Sequence, residues 1–359
     1  MDIVANLPAA EECASKIFRY TGQKYEPEIA EELWPKILQH KWILSEKLGR
    51  DAGIKVACLD YIENVDMITE KQIDEDKTLT LRELGAQLVD RAVWDTISES
   101  QPPKQIIEKR VILPLTEIEL AQKHGVIPPK TIIFFGPPGT GKTHFVKATA
   151  GVLGWWLIEA SPSDLMADGQ DRLGKNLRHL MEKAGRIEDA VIFIDEFEEI
   201  AGTRDQASRI DKSITNEFLK QVPVFKRQPG KRLLVCATNY IRDLDAALLR
   251  PGRFDLIIPV GGLDNQGRKT IFDFYLAKTN AGEVDVEKIV CLTPLFTPAD
   301  IEYLFQKVTQ KAFELEHKGG TDYRLTTEIF LETLLEIKPS LTEEILAGFE
   351  KDLREFSRH

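Results

Sequence analysis

Cysteine and histidine are scarce in this chain, and long apolar runs are missing altogether. The 359 residues hold four cysteines, Cys13, Cys58, Cys236 and Cys291, each isolated in its surroundings. No C-x-x-C spacing occurs among them, which argues against a zinc ribbon or a dithiol redox centre, and a reducing cytoplasm is the compartment such a set implies. The six histidines never pair at i, i+4, as a zinc-binding helix requires. No apolar stretch approaches the roughly 20 residues of a membrane span, so none is expected. The start, Met1-Asp2-Ile3-Val4-Ala5-Asn6, lacks the basic and then apolar pattern of a secretory leader. A basic patch is absent too: the net charge is −11, and nucleic-acid affinity rests mainly on clustered Lys and Arg, so no nucleic-acid partner is expected. Hydrophobic content of 43% and charged content of 29% are ordinary for a globular protein, and the length gives room for two or three domains.

Against that background one stretch stands out. Gly136-Pro137-Pro138-Gly139-Thr140-Gly141-Lys142-Thr143 is a complete G-x-x-x-x-G-K-[ST] loop, set between the apolar run Ile132–Phe135 and a helix-like segment. Its glycines let successive backbone N–H groups turn inward around a polyphosphate, and the following helix adds the partial positive charge of its N-terminus. Lys142 then reaches the outer phosphates, and the Thr143 hydroxyl is placed to ligate Mg²⁺. The only metal expected is the Mg²⁺ that arrives with a nucleotide.

Five short apolar runs alternate with helical stretches: Ile132–Phe135, Trp155–Ile158, Val191–Ile194, Leu233–Ala237 and Leu256–Val260. The pattern predicts an α/β fold, a five-stranded parallel sheet covered on both faces. The third run ends in Asp195-Glu196, a whole number of strand–helix units after the loop. In such a sheet both lie at the same crevice, where Asp195 holds the metal and Glu196 orients or deprotonates a water. The fourth run ends in Asn239, an amide able to accept and donate at once. Arg250-Pro251-Gly252-Arg253 follows; its two arginines read either as surface salt-bridge formers or as groups that stabilise charge on a transferred phosphoryl.

The flanks read as helical. In residues 1–91, Pro35 is expected in a first turn, with Ile37, Leu38, Trp42 and Leu48 along one face; Ile54 to Val65 form a second stripe, and Thr80 opens a third helix. After Gly261-Gly262, Thr297-Pro298-Ala299-Asp300 marks a strong helix start, and two further helices fit Thr326–Ile337 and Thr342–Phe356.

Over residues 92–359 the chain resembles the AAA-type ATPases of the branch that includes valosin-containing protein, the proteasomal ATPases and the AAA proteases. Residues 1–91 lie outside the resemblance and read as a small helical N-terminal domain of unknown function, expected to bind a client or partner. The resemblance implies a P-loop NTPase domain at 92–263 and a helical lid at 264–359. It makes Gly136–Thr143, with His144 after it, the ATP-binding loop (Walker A), Asp195 and Glu196 the Walker B acids, Asn239 the γ-phosphate sensor, and Arg250 with Arg253 the arginine fingers delivered to a neighbour in a homo-hexameric ring. Trp94-Asp95-Thr96-Ile97 is similar to the family's adenine-contacting segment, which implicates Asp95 and Ile97. Several positions depart from the family pattern: Ser98-Glu99 replaces Gly-Gly, Tyr275 stands for the lid histidine, Pro223-Val224-Phe225 for Asp-Gly-Phe, and Gly169 aligns with the aromatic that threading members place in their pore. The implied activity is hydrolysis of ATP to ADP and phosphate, coupled to remodelling of a protein client. A nucleotide-gated scaffold with slow hydrolysis is the alternative.

Overall fold

The computed structural model describes residues 10–62, 77–166, 169, 172–202, 209–319 and 323–359. These divide into two compact units, Met1–Thr80 and Leu81–His359.

The first unit contains helices Ala10–Thr21, Pro27–Leu48 and Ile54–Asp60. Its core gathers Cys13, Ile17, Ala30, Leu33, Trp34, Ile37, Cys58 and Ile62. Ala30, Leu33, Trp34 and Ile37 follow the i, i+3, i+4, i+7 spacing that puts side chains on one helical face. The stripe runs out there, because Trp42 is 66% and Leu48 53% exposed. Pro35 lies inside the helix and Pro27 takes the first turn, where a missing N–H leaves no bond unmade. Thr80 likewise sits within a helical stretch, 77–83, and not at its start. The Val65 end of the second stripe falls outside the described residues.

The second unit is built on a six-stranded sheet: β1 (Gln87–Leu88), β2 (Thr131–Phe135), β3 (Trp156–Ala160), β4 (Ala190–Ile194), β5 (Arg232–Thr238) and β6 (Leu256–Pro259). Their order across the sheet is β1-β3-β4-β5-β2-β6. The five expected strands pair in parallel, with Thr131 opposite Leu234, Ile132 opposite Leu256 and Ala190 opposite Arg232. Two-residue β1 is an addition, antiparallel to β3 through Gln87–Leu157 and Leu88–Trp156. A strand so short carries no alternating pattern by which its sequence could announce it.

Each central strand is buried on both faces, which is why it reads as a continuous apolar run. Ile133, Phe135, Ile192, Ile194, Leu234 and Cys236 point into one cluster. Their neighbours Ile132, Phe134, Val191, Phe193, Leu233 and Val235 point into the other, as the two-residue period of a strand demands.

Beyond the sheet, helices Asn265–Leu276, Val286–Cys291, Pro298–Gly319 and Thr327–Leu334 enclose a separate core around Phe272, Phe305 and Phe330. The Pro298 helix opens with a reciprocal cap: the Asp300 backbone N–H donates to Thr297 Oγ1 at 3.1 Å and the Thr297 N–H to Asp300 Oδ2 at 2.8 Å, a capping box with aspartate in the acid position. The last helix, Glu343–Phe356, buries no residue fully. It turns back to the sheet, where the Phe349 ring lies 5.9 Å from that of Phe135. Among the described residues no helix is long and apolar enough to cross a membrane.

Candidate functional site

The carboxyl end of β2 runs straight into the glycine loop, and the loop's backbone needs its glycines. Gly136, Gly139 and Gly141 have φ of 154°, 76° and 95°, a region that side-chain-bearing residues rarely enter. Gly136 has no room either, since a Cβ there would lie 2.0 Å from the Val260 carbonyl oxygen. The helix Lys142–Leu153 starts directly after Gly141, so its free N–H groups face the cradle.

Lys142 is 7% exposed. Its ammonium donates to the carbonyls of Gly136 and Pro137 at 2.8 and 2.9 Å and to Asn239 Oδ1 at 2.7 Å. Burial pulls its pKa down to about 8, against the opposing charges of Asp195 and Glu198. The hydroxyl of Thr143 donates to Asp195 Oδ2 at 2.8 Å, so the two expected metal ligands already face each other. Asp195 Oδ1 accepts the backbone N–H of Glu196 at 2.9 Å.

Glu196 sits past the end of β4 in the left-handed region, φ 49° and ψ 44°. That conformation is strained for a residue with a side chain, and it turns the exposed carboxylate into the cavity. Its pKa is raised, first by the charge of Glu199 and then by burial, Asp195 and Glu198.

One cavity of about 460 Å³ brings these groups together: Gly139 to His144, Asp195, Glu196 and Asn239 line it on the sheet side. Ile97 and its neighbours Thr96 and Ser98 form a second wall, and Ile271, Phe274, Tyr275, Pro298, Ala299 and Glu302 close it from the helical side. Thr96 Oγ1 lies 2.7 Å from His144 Nε2, and burial lowers the pKa of that histidine, with Lys147 adding to the effect. Tyr275 stacks on Phe305 at 5.1 Å, its hydroxyl pKa raised by burial and by the Glu302 carboxylate.

The expected residues do not all converge. Asp95 is exposed and is not part of the cavity wall, and neither Arg250 nor Arg253 reaches it. Arg250 is exposed, while Arg253 Nη1 donates to the Leu219 carbonyl. Gly169 is exposed with φ 99° and has no neighbouring atoms where a Cβ would stand.

The structure adds a third carboxylate that no motif spacing pointed out. Glu198 Oε1 accepts the Asn239 backbone N–H at 3.1 Å, and its Oε2 is buried without a hydrogen-bond partner. Four acidic positions around Phe197, at 195, 196, 198 and 199, were the available signal, but which of them turns inward depends on the strained backbone at Glu196. Phe274 and Glu302 were missed for a different reason. They are ordinary helical residues whose relation to the loop exists only after the chain has folded back on itself.

Comparison with known proteins agrees with this geometry. Residues 132–261 match the family model described as "ATPase family associated with various cellular activities (AAA)". The chain is similar to the Cell division cycle protein 48 homolog of Archaeoglobus fulgidus, at 31% identity over 292 residues, 76% of this chain and 40% of that protein. It is also similar to the Proteasome-activating nucleotidase of Methanococcus vannielii, at 33% identity over 247 residues, 67% of this chain and 59% of that one. The chain thus spans 34% to 59% of the length of the first relatives it matches. Among solved structures, the FIGL-1 AAA domain superposes with a TM-score of 0.66 at 22% identity, over 76% of this chain and 92% of that one, a likeness of fold.

Proposed function

Because residues 132–261 belong to the AAA family, we propose that this protein binds ATP with Mg²⁺, hydrolyses it to ADP and phosphate, and couples the cycle to remodelling or assembly control of a protein partner. One observation carries the proposal: the loop cradle, Lys142, the Thr143–Asp195 pair, Glu196 and Asn239 meet in a single cavity.

The residues suit the group they would hold. The backbone cradle tolerates no Cβ at Gly136, leaving N–H donors and one ammonium as its lining, the chemistry of a polyphosphate site. Two hard oxygen ligands, Thr143 and Asp195, stand beside it, as Mg²⁺ prefers. Bound there, Mg²⁺ would supply neutralisation of charge on the phosphates. Lys142 exchanges its carbonyl partners for outer phosphate oxygens, and Asn239, fixed at its N–H by Glu198, keeps its amide at the terminal phosphate. Glu196 accepts a proton from water as the water oxygen attacks the terminal phosphorus and the bond to the ADP oxygen breaks. A raised pKa makes Glu196 the better base. Ile97, Ile271 and Tyr275 take the nucleobase end. Arg250 and Arg253 lie outside this chain's own cavity, and the turn that carries them serves the cavity of a neighbour in a homo-hexameric ring. Residues 1–91 select the client, residues 92–263 form the ATPase domain and residues 264–359 the lid. The three buried thiols, Cys13, Cys58 and Cys236, suit a reducing cytoplasm.

The scaffold alternative, with slow hydrolysis as a reset, draws support from Gly169, which offers no side chain to grip an extended polypeptide. The test pairs two variants in phosphate release and in titration with a fluorescent ATP analogue. Glu196→Gln is expected to lose turnover and keep ATP, since it preserves shape and hydrogen bonding but removes the base. Lys142→Ala is expected to lose ATP itself. Equal loss of binding in both would show that the two roles are misassigned, and a wild-type protein that binds ATP with negligible turnover would favour the scaffold.

A further inference from the structure

The loop that carries Arg250 and Arg253 is braced at both ends by a residue about a hundred positions away. Arg358 follows the last helix, and its backbone forms an antiparallel bridge to β6: the Ile257 N–H donates to the Arg358 carbonyl at 2.7 Å and the Arg358 N–H to the Ile257 carbonyl at 3.0 Å. Its guanidinium then reaches past the strand. Nη1 donates to the carbonyl of Leu249 at 3.0 Å and Nη2 to the carbonyl of Phe254. Those carbonyls stand immediately before Arg250 and immediately after Arg253, so one planar, rigid fork spans the whole turn Arg250-Pro251-Gly252-Arg253.

Two other contacts stake the middle of the turn. Lys226 donates to the Gly252 carbonyl at 3.1 Å and pairs with Asp255 at 2.6 Å, and Arg253 spends its own guanidinium on the Leu219 carbonyl. Arg250 is exposed and donates no hydrogen bond within the described residues. The brace itself is partly desolvated: burial lowers the Arg358 pKa, with Asp255 opposing. An exposed surface arginine would gain little from such contacts; this one is half-buried and gives two backbone carbonyls a charged donor.

We propose that Arg358 is a positioning residue for catalysis in trans, holding the turn so that Arg250 is presented to the active site of a neighbouring copy while Arg253 is tied inward. The idea rests on the reading of that turn as a ring contact. It adds a division of labour between the two arginines and a dependence on the segment Ser357–His359.

The test measures ATP turnover and nucleotide affinity of Arg358→Ala and Arg358→Lys full-length proteins, alone and mixed with Glu196→Gln subunits. Because Arg358 acts on the neighbour's site, Arg358→Ala is expected to bind the fluorescent ATP analogue like wild type and to lose kcat by about tenfold to a hundredfold, the range set by a displaced catalytic group. Arg358→Lys can reach only one of the two carbonyls and is expected to recover part of that loss. Mixing Arg358→Ala with Glu196→Gln is expected to restore turnover, since some interfaces then join an intact Glu196 to an intact brace.

Arg250→Ala mixed with Glu196→Gln is the control. If that mixture regains activity and the Arg358 mixture does not, the positioning role is wrong while the ring reading stands. If neither regains it, the ring contact and the inference fall together. A fall in ATP affinity that matches the fall in kcat would mean that Arg358 merely holds the fold, which also overturns the proposal.

Discussion

If the cavity binds ATP as proposed, Lys142 links that affinity to pH, and its burial sets the sign. The amine is nearly fully buried, and its pKa has dropped from 10.5 to about 8, which corresponds to roughly 3 kcal/mol against keeping the ammonium where it stands. Two states can relieve that penalty, deprotonation and a polyphosphate. With phosphates beside it the amine has strong anionic partners, so its pKa returns toward the ordinary lysine value and ATP binding takes up a proton as the pH passes 8. Affinity is therefore full below about pH 8 and falls above it, by about tenfold between pH 7 and pH 9 for one linked proton. The terminal phosphate, with a second pKa near 6, is already ionised and does not contribute. Stability of the ligand-free protein moves the other way. Between about pH 8 and pH 10.5 the unfolded chain holds a proton at this residue that the folded chain has lost, so stability rises with pH across that window relative to Lys142→Met. Calorimetric titration of ATP in buffers of different ionisation enthalpy measures the proton directly, and urea unfolding of the two proteins measures the second effect. An ATP dissociation constant that stays flat from pH 7 to pH 9, with no buffer dependence, would refute the linkage. A Lys142→Arg protein, whose guanidinium never deprotonates, should show the flat profile by design.

Other perturbations follow from single contacts. Gly136→Ala places a methyl 2.0 Å from the Val260 carbonyl oxygen, so the loop must shift and ATP affinity should fall at least tenfold; retention of wild-type affinity would mean that the cradle does not bind phosphate. Asp300 is 7% exposed and accepts from Thr297 and from both N–H and hydroxyl of Ser340; Asp300→Ala strands those donors and should lower unfolding stability by about 2–4 kcal/mol, read from urea denaturation. If Arg250 completes a neighbour's site, specific activity should rise with protein concentration as rings form, and a concentration-independent rate from a proven monomer would end that reading. Gly169 presents no grip, so a stably folded fluorescent client fused to a segment that binds residues 1–91 should keep its fluorescence during ATP turnover; complete ATP-dependent loss would show that the chain threads after all.

The sequence by itself determined the fold class and pointed to the residues that meet in the main cavity, because both rest on local rules. Strands buried on both faces must be short apolar runs, and a tight loop must have glycine where φ is positive, so Ile132–Phe135 and Gly136–Thr143 announce themselves. Asp195, Glu196 and Asn239 were legible for the same reason: each stands at the carboxyl end of a parallel strand, and parallel strands end at one crevice. Tertiary structure alone decided what depends on long-range approach. The pairing of Gln87–Leu88 with β3 needs only two residues and leaves no period to detect. Asp95 and Ile97 lie two residues apart, yet the 3₁₀ turn at Arg91–Thr96 leaves the first in solvent and the second in the cavity. Glu198 becomes a partner of Asn239 because Glu196 adopts a left-handed backbone that spacing cannot foresee. Arg358 braces the Arg250 turn only once the final helix has carried it back across the sheet to β6, a contact between residues more than a hundred positions apart that no local pattern encodes.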